Sequence, residues 1–303
     1  MKEENTVIKC EGLTKCFDNF TALSKINCSV EDGRIYGMVG SNGAGKSTFL
    51  RILSGIYKAD AGVCKIDGED VWENPTVKAS IAFVPDDLYF LNGSSMNRMA
   101  KMYKSLFPNF DTERFEKMTR GFGLDPRKSM NTFSKGMRRQ AVTILALSAK
   151  PKYIFFDETF DGLDPVMRNY VKGLICQDVI DRGSTAIITS HSLRELEDTC
   201  DQLALLHKGG LVLESDVQNL KTAQFKIQVA FDRDFEKELF DGISIVRFTK
   251  TGSVANMIVK GDREEVVSRI SALNPILLDV LPLTLEEVFT YEMEALGYTF
   301  SLE

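Results

Sequence analysis

Short apolar runs alternate with amphipathic segments through the first two thirds of the chain. Such runs are typical of parallel strands buried on both faces, and they occupy residues 35–39, 153–156, 185–189 and 203–206. Apolar residues at helical spacing predict helices between them, which we place from Lys46 to a stop at Gly55, at 165–181 and at 193–200. This alternation predicts a parallel α/β sheet with helices on both faces.

Other segments interrupt or precede this core. Further strand signals lie at 7–10, 26–30, 62–66 and 80–84. Residues 94–149 are mostly helical in pattern, with a break at Phe107-Pro108-Asn109. We therefore expect a helical insertion, at about residues 90–149, within the α/β domain.

The last eighty residues have a different order of elements. We predict strand 224–231, helix 233–240, strand 244–249, strand 254–259, helix 262–272, strand 276–281 and helix 284–296. The β-α-β-β-α-β order is that of a ferredoxin-like sandwich, with one extra helix. The domains predicted from this change in pattern are 1–222 and a smaller C-terminal α+β domain at 223–303.

Composition narrows the classes of function. With 44% hydrophobic and 26% charged residues, the chain is neither disordered nor fibrous. A net charge of −6 argues against a nucleic-acid-binding protein. Uncharged runs stop at eleven residues (35–45 and 183–193), short of the roughly 20 that a spanning helix needs. The N-terminus lacks an apolar signal core and the six cysteines lack a C-x-x-C pair, so we expect a soluble intracellular protein with reduced thiols.

The segment at 40–48 carries the strongest chemical signal. It matches the phosphate-loop pattern G-x-x-x-x-G-K-[ST], in which glycines let backbone N–H groups converge on phosphate oxygens at a helix N-terminus. Lys46 would reach the β- and γ-phosphates and the Ser47 hydroxyl would bind Mg²⁺. The alternative is a glycine-rich turn that only caps a helix, but the flanking strand and helix favour a nucleotide site. Its predicted binding residues are Ser41, Asn42, Gly43, Ala44, Gly45, Lys46, Ser47 and Thr48.

Two other apolar strands end in polar residues. Asp157 and Glu158 follow the run at 153–156, and His191 follows the run at 185–189. Ligands of open α/β sheets bind at the carboxyl ends of the strands. There Asp157 would bind the metal, Glu158 would orient or deprotonate a water, and His191 would contact a γ-phosphate or its water. Taken singly, these residues would more often be solvated acids and a structural histidine.

A second anion site is suggested inside the helical insertion. Ser134 is a natural helix N-cap, and Gly136 leaves the first-turn amides unobstructed. Lys135, Arg138 and Arg139 add positive charge. This segment alone does not distinguish an anion site from an ordinary capped amphipathic helix.

In their order these motifs resemble the ATP-binding cassette (ABC) ATPase family over about residues 5–220. The resemblance implies a P-loop NTPase fold with a parallel-sheet core, an antiparallel β subdomain and a helical insertion. It makes 133–137 the signature motif, Asp157 the magnesium aspartate, Glu158 the catalytic glutamate and His191 the switch histidine. Asp164 would belong to the loop that couples two sites. Phe17 stands where the family stacks an aromatic ring on adenine, although a buried strand-end aromatic is the alternative.

The sequence departs from the family at informative positions. Asp86 stands where the family has a glutamine that touches Mg²⁺; a carboxylate also binds the metal, but it adds negative charge near the γ-phosphate. The signature has Lys135 and Met137 in place of a glycine and a glutamine. We expect altered turnover or coupling, and not an inactive site.

The family resemblance also implies partners. Two cassettes would enclose two ATP molecules, and this chain, with one phosphate loop and one signature, would be half of the pair. Within the family, the single-cassette exporter subunits of bacteria resemble this sequence in most detail. That resemblance implies a separate membrane permease and a location on the inner face of the membrane. One alternative is a soluble ABC ATPase acting on ribosomes or DNA, which generally has two cassettes or a coiled coil. Another is an idle nucleotide sensor, against which Glu158 and His191 argue.

Overall fold

A computed structural model describes residues 5–281 and 283–295. They form two compact units, one up to Glu214 and the other from Ser215. The boundary predicted from the sequence lies at 222/223, eight residues further along the chain. The difference arises because the helix Val217–Ala223 packs on the first strand of the second unit.

The elements of the first part of the chain follow the sequence order β1 (Thr6–Phe17), β2 (Phe20–Glu31), β3 (Ile35–Val39), α1 (Lys46–Leu53), β4 (Ala61–Ile66), β5 (Glu69–Asp70), α2 (Pro75–Ala79), β6 (Ile81–Val84), α3 (Met96–Leu106), α4 (Thr112–Gly121), α5 (Lys135–Ser148), β7 (Tyr153–Asp157), α6 (Pro165–Arg182), β8 (Thr185–Ser190), α7 (Leu193–Leu196), β9 (Gln202–His207) and β10 (Gly210–Asp216). A 3-10 turn, Met130–Thr132, precedes α5. None of the helices among the described residues is long and apolar enough to cross a membrane.

The predicted parallel core is confirmed. Six strands form one sheet in the order β10-β9-β3-β8-β7-β6, and the β3–β8, β3–β9, β6–β7 and β7–β8 pairs are parallel. Every residue of β3, β7 and β8 is buried, as expected for strands covered on both faces. In register, Val39 pairs with Ser190 and Asp157 with Thr189. The residues that follow β3, β7 and β8 therefore meet at one edge.

The strands of the antiparallel subdomain are longer than the segments predicted from the sequence. Its strand order is β2-β1-β4-β5, and β1 and β2 each run for 12 residues. Several register shifts interrupt the β1–β2 pairing, which breaks the strict alternation that would have shown full-length strands. Ile8, Leu13, Leu23 and Ile26 from this sheet share a core with Phe49 of α1.

The helical insertion is confirmed as α3, α4 and α5. Its predicted break is the end of α3, where Phe107 is extended (φ −118°, ψ 100°) because the following proline disfavours helical backbone. Asp111 restarts the helix by accepting a hydrogen bond from the Arg114 N–H at 2.8 Å.

The second unit contains α8 (Val217–Ala223), β11 (Gln224–Ala230), a 3-10 turn (Lys237–Phe240), β12 (Ser244–Thr251), β13 (Val254–Lys260), α9 (Arg263–Ser271), β14 (Leu277–Leu281) and α10 (Leu285–Ala295). Its sheet order is β12-β13-β11-β14 with all pairs antiparallel, which is the ferredoxin-like arrangement. Residue 296 of the last predicted helix lies outside the described residues.

The helix predicted at 233–240 is wrong. Only the 3-10 turn forms there, because Phe231, Phe235 and Phe240 all turn inward. Their rings pack 4.8–6.1 Å apart, and the backbone at Glu236 is extended. Helical spacing would not place all three rings on one face.

Candidate functional site

The phosphate loop joins β3 to α1 at the carboxyl edge of the parallel sheet. Gly43 and Gly45 have positive φ angles of 79° and 112°. A Cβ on Gly45 would lie 2.6 Å from the carbonyl oxygen of Ala22, so only glycine fits here. The resulting loop leaves the first amides of α1 facing an open cleft, where they would bind an anion.

Lys46 is held across this loop. Its ammonium donates to the carbonyl oxygens of Gly40 at 2.6 Å and Ser41 at 3.2 Å, and only 5% of the side chain is exposed. Its third partner is Glu158, whose Oε1 lies 3.0 Å from Nζ. The strand end that carries the carboxylates therefore directly contacts the phosphate loop.

Glu158 and His191 are brought together at the same edge. Glu158 has a left-handed backbone (φ 49°), and its N–H donates to Thr189 Oγ1 at 3.2 Å. Its Oε2 accepts the His191 N–H at 3.3 Å and lies 3.0 Å from His191 Nδ1. This unusual backbone conformation turns the carboxylate away from β7 and towards Lys46 and His191.

Asp157 offers an oxygen to a cation. It is fully buried, and its Oδ1 accepts from Thr189 Oγ1 at 2.7 Å. Oδ2 is buried without a hydrogen-bond partner among the described residues, which is costly unless something else binds it. The described residues contain no cluster of three or more protein metal ligands. Mg²⁺ at nucleotide sites takes one or two carboxylates plus phosphate oxygens and water, so this donor set fits it.

Asp86 has a partner that the sequence analysis missed. Its Oδ1 accepts from the Arg139 guanidinium at 2.5 Å. The same guanidinium donates to the carbonyl oxygens of Pro85 at 3.0 Å and Asp157 at 3.3 Å. The Arg139 side chain is 1% exposed and that of Asp86 is 47% exposed. The expectation that Arg139 adds charge to an exposed helix end is therefore wrong, because this residue points inward and neutralises Asp86.

The start of α5 contacts the loop that precedes α6. Ser134 caps the helix as predicted, accepting from the Met137 N–H at 3.2 Å. A Cβ on Gly136 would lie 2.9 Å from the Gly162 carbonyl oxygen. In the same loop, Asp164 caps α6 through the N–H groups of residues 166 and 167, both at 3.0 Å.

An open cleft of about 240 Å³ covers the phosphate loop. The structure brings into its lining Phe20, Ala22, Asn42, Gly43, Ala44, Gly45, Lys46, Ser47, Thr48, Asp86 and Glu158. Five residues predicted to bind the nucleotide lie outside that lining: Phe17, Ser41, Ser134, Gly136 and Asp164.

Two aromatic residues, Phe17 and Phe20, lie at the β1–β2 turn, where the sequence analysis predicted a stacking residue. Phe17 pairs with Phe20 across the turn. The Phe17 ring packs edge-on against Tyr57, with 5.5 Å between centroids, whereas Phe20 lines the cleft and is largely exposed. Phe20 is thus a second candidate for stacking on a base.

A buried network holds the loop around His191. Ser190 donates to Glu195 Oε2 at 2.6 Å and accepts from the Ser192 N–H at 3.0 Å. Arg168 of α6 pairs with Glu195 Oε1 at 2.9 Å. Arg168 and Glu195 are 27 residues apart in the sequence, so no local motif predicts that ion pair.

Comparison with known proteins agrees with this geometry. A family model described as ABC transporter matches residues 23–161. The ABC transporter ATP-binding protein YtrB of Bacillus subtilis is 30% identical over 283 residues, covering 93% of this chain and 97% of that protein. The bacitracin transport ATP-binding protein BcrA of Bacillus licheniformis is 31% identical, with 72% of each chain covered. The daunorubicin/doxorubicin resistance ATP-binding protein DrrA of Streptomyces peucetius is 29% identical, covering 71% of this chain and 67% of that protein.

Solved structures share the fold at lower identity. An ATP-binding subunit of an ABC transporter superposes with a TM-score of 0.65 at 21% identity, covering 71% of this chain and 92% of that chain. The protein cbiO1 of Clostridium perfringens, part of the ABC transporter complex cbiONQ, gives a TM-score of 0.60 at 22% identity, covering 72% of this chain and 91% of that one. The predicted cassette fold is confirmed.

Proposed function

Because the chain belongs to the family of ABC transporter ATP-binding proteins, we propose that two cassettes pair around ATP to drive export through a separate membrane permease. ATP binding and hydrolysis are the activity of this family, and the chain is an ATP hydrolase of the ABC type. The pairing, the permease, the direction of transport and the residue roles below are the proposal.

The ion pair between Lys46 and Glu158 indicates how ATP would engage the site. The phosphate loop would bind the β- and γ-phosphates, and the γ-phosphate would compete with Glu158 for the Lys46 ammonium. Once released, Glu158 Oε1 would accept a proton from the attacking water, while His191 holds Oε2. Ser47, Asp157 and Asp86 would hold Mg²⁺, which when bound neutralises phosphate charge.

The position of Ser134 and Gly136 is the main support for the pairing of two cassettes. They form an exposed helix start suited to an anion, but they do not line the cleft over the phosphate loop. Each helix start would therefore bind the ATP held by the other copy. The contact between Gly136 and Gly162 would link that helix start to the coupling loop.

Export and a permease are supported by the relatives. Their names describe resistance to daunorubicin and doxorubicin, bacitracin transport and lantibiotic transport. None of the described helices of this chain spans a membrane, so a separate permease would supply the path. The chain would then bind the cytoplasmic face of the membrane as a peripheral subunit.

A mixing experiment tests the pairing. Lys46→Ala removes the phosphate-loop cation, and Ser134→Arg blocks the helix start, so each variant alone should lack an intact site. A heterodimer of the two contains one intact interface and should recover hydrolysis. Mixing Lys46→Ala with itself under a second tag is the matched control. Activity that never exceeds that of either parent, in confirmed heterodimers, contradicts the pairing.

Purification from membranes tests the permease. The wild-type chain should co-purify with a protein that has several membrane spans. Co-purification with ribosomal proteins or DNA instead would support the non-transport alternative.

A further inference from the structure

Three cysteines lie side by side across three neighbouring strands. Cys10 on β1 is the direct register partner of Cys28 on β2 and of Cys64 on β4. Direct partners in antiparallel strands project from the same face of the sheet. Half of the cysteines in the chain therefore form one row.

The spacing of these strands suits a covalent link. Direct antiparallel partners have Cα atoms about 4.5 or 5.5 Å apart, and disulfides span Cα separations of about 4.4–6.8 Å. A strand residue directs its N–H and C=O to the same side, so Cys10 forms a hydrogen-bonded pair with one neighbour and a non-hydrogen-bonded pair with the other. Both Cα separations fall within the range of a disulfide, and the Cβ atoms, about 4.5–5.5 Å apart in such pairs, need to approach only slightly to reach the roughly 3.5–4.5 Å of a disulfide.

Only one thiol of the row is open to a reagent. Cys10 and Cys28 are buried in the subdomain core. Cys64 is partly buried and lines a surface cavity of about 240 Å³, together with Lys58 and Trp72. A peroxide, little larger than water, fits such a space.

We propose that Cys64 and Cys10 form an oxidisable dithiol, in which Cys64 reacts first and Cys10 then closes a disulfide between β4 and β1. In the first step the Cys64 thiol reduces hydrogen peroxide, giving a sulfenic acid and one water. In the second, the Cys10 sulfur attacks the Cys64 sulfur; the hydroxyl leaves and takes the Cys10 proton as a second water. Two thiols and one peroxide thus give one disulfide and two waters.

The environment of Cys10 explains why Cys64 reacts with peroxide before Cys10 does. Its hydrogen bonds with Cys28 and Cys64, together with burial, raise the pKa of the Cys10 thiol well above its usual range. A thiol with a raised pKa reacts poorly with peroxide, so Cys10 acts second, on the sulfenic acid that forms beside it on Cys64. Cys28 is buried on the far side of Cys10 from the cavity and is not needed.

Trypsin separates all the relevant thiols. Cleavage after lysine and arginine places Cys10 in peptide 10–15, Cys16 in 16–25, Cys28 in 26–34 and Cys64 in 59–65. The experiment treats the folded chain, as a Cys16→Ser variant to remove the exposed thiol, with hydrogen peroxide. Free thiols are then alkylated, and the unreduced digest is analysed by mass spectrometry.

The expected product is peptide 10–15 linked to peptide 59–65, lighter by two hydrogens than their sum and cleaved by reductant. Cys28→Ser should leave this link unchanged, whereas Cys64→Ser should leave Cys10 in its reduced form. A dominant link between Cys10 and Cys28, oxidation of Cys64 to sulfinic acid without a link, or an unreacted Cys64 would each overturn the proposal. None of these outcomes depends on the proposed transport function.

Discussion

Arg139 is the residue whose replacement tests the site's internal geometry most sharply. Its guanidinium joins α5 to the ends of two strands, through Pro85, Asp86 and the Asp157 carbonyl oxygen. Arg139→Met keeps most of the volume but removes every one of these donors. We expect lower stability of the first unit and loss of the coupling between Arg139 and Asp86.

The expected loss of free energy of unfolding follows from the burial of the Arg139 side chain. Removing one member of a buried ion pair costs about 3–5 kcal/mol, and each buried carbonyl left without a donor costs about 1–3 kcal/mol. Because the Asp86 carboxylate is 47% exposed and remains hydrated, we expect the low end, about 3 kcal/mol. Asp86→Asn keeps an acceptor for the guanidinium but leaves the Arg139 charge, only 1% exposed, without its counter-ion, so it should cost about 2 kcal/mol. The double variant should cost about as much as Arg139→Met alone, a coupling of about 2 kcal/mol.

The assay is urea unfolding followed by tryptophan fluorescence. Trp72 is the only tryptophan of the chain and lies in the first unit, so its signal reports that unit. Arg120→Met is the matched control, because this arginine is 73% exposed and forms a surface ion pair with Glu116 at 3.8 Å; its cost should stay below about 0.5 kcal/mol. Effects of Asp86→Asn and Arg139→Met that add to within about 0.5 kcal/mol would refute the coupling.

Three further predictions concern the cleft. Lys46→Ala should abolish measurable ATP binding in calorimetry, since it removes the cation expected to contact the β- and γ-phosphates; undiminished binding would show that ATP binds elsewhere. Asp86→Gln should make ATP binding less dependent on magnesium, because it removes the carboxylate that we propose as a metal ligand beside the γ-phosphate; superimposable magnesium titrations would leave Asp86 without a role in metal binding. Phe20→Ala should weaken ATP binding about tenfold, and Phe17→Ala less, as expected when a stacked aromatic worth about 1–3 kcal/mol is lost; the reverse order would assign stacking to Phe17.

Local patterns predicted most of the cassette. The phosphate loop is a contiguous motif whose glycines and lysine are required by backbone geometry, and strands buried on both faces have unmistakable apolar runs. The position of Glu158 at the same edge of the sheet as the phosphate loop followed from the rule that parallel strands end at one edge. These features depend on short segments and general topology.

The features that were not predicted from the sequence depend on strand register and on contacts between distant segments. The run Lys135-Gly136-Met137-Arg138-Arg139 does not show which basic residue turns inward, and only the approach of β6 and β7 gives Arg139 its acceptors. The alignment of Cys10 with Cys28 and Cys64 depends on strand register and on the shifts within β1. The helix expected at 233–240 failed because three phenylalanines fill the core of the second unit there.

The central claim is that this edge of the sheet hydrolyses ATP with Glu158 acting on water, and Glu158→Gln tests it most directly. Turnover and ATP affinity should be measured on the same protein, with Glu116→Gln, an exposed glutamate on α4, as the control. We predict that Glu158→Gln lowers turnover by about 10²-fold or more, the scale of losing a general base. Its ATP affinity should be retained or higher, because Lys46 loses a competing carboxylate. Near-normal hydrolysis by Glu158→Gln would contradict the account.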